Sequence, residues 1–75
     1  MPTTQRPSEI VAAEVRAELA RRKFPQSGLV SVLGMSEDSV SRRLRGETPF
    51  DINELVAVAE FLGVPVTRFL PSEAA

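Results

Sequence analysis

Residues Gln26–Gly46 read QSGLVSVLGMSEDSVSRRLRG, and this stretch decides the fold. Leu29, Val30, Val32 and Leu33 form a short apolar run that stops at Gly34, the residue type that ends helices by turning left-handed. Ser36 follows as an N-cap, with Glu37 and Asp38 in the first turn, where carboxylates meet the helix dipole favourably. Gly46 ends the second helix as Gly34 ends the first. The stretch is a helix-turn-helix: helix two over about Gln26–Leu33, a tight turn, and helix three over about Glu37–Arg45. Gly28 is a weak spot in helix two, either allowing another backbone close or simply tolerated.

Outward from this motif, the rest of the chain reads as helix. Ser8 caps helix one, Glu9 to about Lys23, in which Val11, Val15 and Leu19 recur every four residues and Ile10 and Ala12 widen the stripe. Phe24-Pro25 breaks it. Phe50 is a core plug, and Asp51-Ile52-Asn53-Glu54 is a capping box that opens helix four. Ile52, Leu55, Val58, Ala59 and Leu62 hold its helical spacing, Gly63 closes it, and one further turn runs from Val66 to Leu70. The expectation is an all-α, compact four- to five-helix bundle over residues 8–71, with a flexible arm at 1–7 and a short tail at 72–75.

The 75 residues allow one small core. With no Cys and no His, disulfides, thiol chemistry and zinc-finger folding are excluded. No nucleophile elbow, metal cluster or phosphate loop is present, so an enzyme, a metal and a cofactor are not expected, nor is a small-molecule substrate. No apolar run approaches the roughly 20 residues of a membrane span, and a soluble intracellular protein is expected.

The net charge of −1 argues against a nucleic-acid partner until its distribution is read. Between Arg16 and Gly46 seven cations meet three carboxylates, a balance of +4, while the remainder carries −5. The basic part coincides with the helix-turn-helix. At about 100° per residue, Val40 and Leu44 share the core side of helix three. Glu37, Asp38, Ser41, Arg42 and Arg45 share the opposite side, with Ser39 at its edge. Arg42 has the donors for guanine O6 and N7, and the carboxylates can accept from cytosine N4. Glu37 and Asp38 read equally well as acids that only satisfy the helix N-terminus. Arg45 is a phosphate grip, and Arg43 is expected to snorkel or to pair with a helix-four acid. Gln26, with the first amides of helix two, is a phosphate clamp or an ordinary exposed glutamine. Arg21, Arg22 and Lys23 are phosphate-contact candidates or a solvated helix end.

The pattern resembles the Cro and phage-repressor (XRE-like) helix-turn-helix family, with a lambda-repressor-like fold. The resemblance rests on Leu19, Phe24, Gln26, Leu29, Leu33, Gly34, Ser36, Val40, Ser41, Leu44, Gly46 and Pro49, then Glu54-Leu55, Ala59 and Leu62-Gly63-Val64. It covers residues 9–70, and its specificity lies in the joint spacing. It implies a sequence-specific transcriptional regulator in the cytoplasm of a bacterial or phage-infected cell. The implied partner is a double-stranded DNA operator, bound as a homodimer. It also implies that Gln26 clamps the backbone and braces Glu37, that Glu37, Asp38, Ser39 and Arg42 read bases, and that Val64, Val66, Phe69 and Leu70 touch a second copy. For at least two of those four, the intramolecular core is the expected place. The chain departs from the pattern at Val30, at Arg43 and Leu44, and in carrying acids at 37 and 38. Those acids and the acidic total leave a second reading open: a protein-interaction module, or an antitoxin or excision-type regulator, on the same fold.

Overall fold

The computed structural model describes residues 6–71; the expected tail and residues 1–5 of the expected arm lie outside them. Four helices, α1 (Pro7–Arg21), α2 (Gly28–Leu33), α3 (Glu37–Leu44) and α4 (Ile52–Leu62), are followed by a 3-10 turn, Val66–Phe69. The described residues are all-α, as expected.

Local chemistry explains each boundary, and α1 departs from expectation at both ends. Its cap is the extended Arg6, not Ser8. Pro7 occupies the first helical position, where its missing N–H costs nothing, so Ser8 is already inside the helix. Glu9 reaches back and accepts the Arg6 backbone N–H at 3.1 Å. At the other end the helix stops before Pro25 acts. Lys23 adopts φ +59, and the Phe24 N–H donates to the Leu19 carbonyl at 3.0 Å, the six-to-one bond of a Schellman stop.

Gln26 and Ser27 belong to a turn ahead of α2, so Gly28 is the first helical residue and not an interior weak spot. A Cβ on Gly28 would meet only the Phe61 ring edge at 3.6 Å, an ordinary contact. Gly34 at φ +64 makes the motif's turn, and Ser36 accepts the Ser39 N–H at 3.2 Å as the α3 cap. Gly46 at φ +80 ends α3 against the first turn of α1, where an added Cβ would lie 3.1 Å from the Glu9 Cα. The capping box of α4 is complete, Glu54 N–H to Asp51 Oδ1 at 2.7 Å and Asp51 N–H to Glu54 Oε1 at 3.0 Å.

The core gathers Val11, Val15 and Leu19 from α1, Leu29 from α2, Val40 and Leu44 from α3, and Leu55, Val58, Ala59 and Leu62 from α4. Phe50 closes it from the loop that leads to α4, and Phe69 from the final 3-10 turn. Ile52 does not join: at the exposed first position of α4 it is 59% accessible. Two polar ties brace the frame. The Arg16 guanidinium donates to the Leu44 carbonyl, satisfying an orphan acceptor at the end of α3. Glu18, 1% accessible, accepts from Arg21 at 2.6 Å, Arg22 at 3.2 Å and Arg68 at 2.8 Å. Burial pushes the Glu18 carboxyl upward, and the three guanidinium groups together outweigh it, so its pKa lies below the ordinary value.

Gly28→Ala should stabilise the fold by about 0.4–1 kcal/mol, by reducing unfolded-state entropy in a position that tolerates a Cβ. Gly46→Ala should destabilise it by more than about 1 kcal/mol, because the left-handed backbone and the Glu9 contact both oppose a Cβ. Urea denaturation of both variants checks the pair. For Glu18, a pKa held below 4.5 means stability present above that pH and lost as pH falls through the folded value. The melting temperature of the wild type should therefore drop on acidification below about pH 5. Glu18→Gln should begin lower at neutral pH and decline less.

Candidate nucleic-acid interface

Only two residues of α3, Val40 and Leu44, are buried, at 3% and 2% accessibility. Their four-residue spacing fixes the rotation of the helix and turns Glu37, Asp38, Arg42 and, just past its end, Arg45 into solvent. Ser41 sits half-buried at the margin of that face. Ser39 is also half-buried and is spent locally: its N–H donates to Ser36, its hydroxyl accepts from the Ser36 hydroxyl, and its carbonyl accepts from Arg43. Arg43 turns the other way, and its Nε donates to Glu54 Oε1 of α4 at 3.0 Å, the second of the two roles expected for it.

A cleft of about 210 Å³ runs between the turn that leads into α2 and the Glu37–Ser41 margin of α3. Val30, Val40 and Leu44 line it together with Gln26, Ser27, Glu37 and Ser41. Gln26 and Glu37 are thus brought to one cleft, and no hydrogen bond among the described residues joins them. Of the amides expected to face a phosphate, those from Gly28 onward are engaged within the turn and α2. The N–H groups of Gly28, Leu29 and Val30 already donate to the carbonyls of Pro25, Gln26 and Ser27 at 3.0, 3.0 and 3.1 Å. Gln26 lies on an exposed turn.

The cations of the face have carboxylate partners. Arg42 Nη2 lies 2.9 Å from Asp38 Oδ2, one helical turn back. Arg45 donates through Nε and Nη2 to the Glu47 carboxylate at 2.8 and 3.3 Å, and through Nη1 to the Ser41 hydroxyl at 2.5 Å. The hydrogen bond to Glu47 raises the Arg45 pKa, and the same bond is the main cause that lowers that of Glu47. Arg42 also acts on Glu47, and Asp38 on Arg45, so the two pairs form one charge cluster.

Arg21 and Arg22 turn to Glu18 and are anchored there, although their side chains stay 62% and 40% accessible. Lys23 is exposed at the left-handed end of α1. The expected contact with a second copy is corrected at one residue. Phe69 is wholly buried and serves the core, with Val64 and Val66 packed half-buried against it. Leu70 alone of the four is exposed, at 41%, beside Ile52 in a shallow groove that Pro7, Phe50 and Pro71 also line. Glu18, Arg68, Arg16 and Glu47 were missed in the sequence. The spacing of Glu18 to Arg21 and Arg22, and of Asp38 to Arg42, was a readable signal of ion pairs on a helix. The burial of Glu18 had no such signal.

The fold and this face can be set beside known proteins. The DNA-binding domain of BldD superposes with a TM-score of 0.74 at 22% identity, over 92% of this chain and 100% of the other. A hypothetical transcription factor, NHTF from Neisseria, gives a TM-score of 0.79 at 20% identity, over 97% of this chain and 84% of the other. At such identities the likeness is one of fold. No curated protein matches the chain. The BetR domain model matches residues 6–75, nearly the whole sequence, and the chain belongs to the BetR-domain family.

Proposed function

We propose that the chain is a sequence-specific double-stranded DNA-binding transcriptional regulator that lays α3 in the major groove of an operator. The observation that carries this is the division of α3: Val40 and Leu44 are committed to the core, while a continuous polar face is left outward beside Gln26. Arg42 takes the guanine-reading role, with Glu37, Asp38 and Ser41 as its neighbours in the groove and Ser39 at the margin. Gln26 and Lys23 approach the sugar-phosphate backbone, and Arg45 joins them once released from Glu47. Arg21 and Arg22 reach phosphate only with the part of each guanidinium that Glu18 leaves free.

On this reading the protein acts in the cytoplasm, where its target lies, and needs no cofactor. Phage-repressor-like action on a two-fold operator requires two copies, and the exposed Leu70 and Ile52, which line one groove, are available for that contact. A competing reading, a protein-interaction module, draws support from one observation: the face carries Glu37, Asp38 and Glu47 against Arg42 and Arg45, a net charge of −1.

Selection from a randomised duplex pool, at low and physiological salt, separates the two. The regulator should retain a two-fold-symmetric motif with half-sites about one helical turn apart. Weak retention without enrichment would favour the interaction module. On the selected duplex, Arg42→Ala should cost about 1–3 kcal/mol and relax preference at one base pair. Arg45→Ala should weaken the selected duplex without changing which base pairs are preferred, and flatten the salt slope there by about 0.9. Both variants can be checked by fluorescence anisotropy titration.

A further inference from the structure

We propose that Asp38 and Glu47 are specificity-determining residues that act by suppressing attachment to random DNA. The inference deepens the operator-binding reading and rests on it. Each exposed cation of the reading face already has an anionic partner, Arg42 with Asp38 at 2.9 Å and Arg45 with Glu47 at 2.8 Å. Arg45 is the more completely engaged, since Nε, Nη1 and Nη2 each donate to Glu47 or Ser41.

A random duplex offers these arginines mainly phosphate oxygens. Gripping a phosphate exchanges one anion for another and leaves the displaced carboxylate facing a polyanion, so the exchange yields little. Guanine makes a different offer, because O6 and N7 are neutral acceptors in the plane of the base. Arg42 can keep Asp38 on Nη2 and present its remaining donors to that edge, with the carboxylate holding the guanidinium in place. The pair is therefore compatible with base readout and opposed to phosphate capture. Asp38 is a positioning residue for Arg42, and Glu47 restrains Arg45 until the groove contacts of α3 have formed.

The test compares Asp38→Asn/Glu47→Gln with the wild type on two probes, the duplex selected from the random pool and a scrambled duplex of equal length, across a salt series. A control variant, Glu14→Gln/Glu60→Gln, makes the same charge change on α1 and α4. The reading-face variant should bind the scrambled duplex about tenfold more tightly, and its salt slope there should steepen by up to about 1.8, two phosphates' worth. Affinity for the selected duplex should rise by less than about threefold, so that discrimination falls, and the control should preserve the wild-type ratio. An equal gain on both duplexes, or no gain on either, would overturn the proposal while leaving operator binding intact. If the wild type enriches no motif at all, operator binding fails and this inference falls with it. Thermal melting of the variants, in which Asp38, Glu47 and Glu60 are exposed and Glu14 is half-buried, confirms that a folded domain is being compared.

Discussion

Two side chains, Val40 and Leu44, fix what the rest of the protein can do. A helix of eight residues has no stability of its own in water and is held by what it buries. With only these two in the core, one rotation of α3 is permitted, and that rotation decides which residues meet solvent. Everything around the helix reinforces the choice: Ser36 caps its start, Arg16 satisfies the carbonyl of Leu44, and Arg43 binds Glu54 across to α4. The outward residues bear little of the folding burden. They are thus free to carry recognition chemistry, and to differ between proteins that share the frame.

The same economy is visible at Glu18. A carboxylate removed from water needs its oxygens satisfied, and three guanidinium groups converge to do so. Arg68 belongs to the final turn, so this cluster ties the end of the described chain to its first helix. It also changes the electrostatic reading of the basic block. Arginines that looked like a loose cationic helix end are held by an internal anion, so fewer of their donors are left for an outside partner.

How much could be read from the chain alone follows from the range of the forces involved. Gly34, Ser36, Gly46 and the Asp51–Glu54 box act within a few residues of themselves, and each was legible. The ends of α1 were also local, yet two competing signals misled: Pro7 opens the helix ahead of a plausible serine cap, and Lys23 takes a left-handed turn that glycine usually fills. What the sequence hid was long-range. Nothing near Glu18 foretells Arg68, and the exposure of Ile52 depends on where the start of α4 lies against the bundle. The polar face of α3 was legible because periodicity sets it. The pairing of Arg45 with Glu47 was not, because it depends on the Schellman turn that brings residue 47 back beside the helix end.

That turn has a further consequence. Gly46 is buried against the backbone of Glu9, so the last residue of the recognition motif touches the first turn of the opening helix. Closing a loop of that length has an entropic cost that must be met before the contact gives anything back. In the order of folding events, the contact of Gly46 with α1 therefore forms only when α1 has docked, whereas the cap of α3, its turn with α2 and its Schellman stop are available from local contacts alone. The motif is local in sequence, but its completion is a cooperative act of the whole domain.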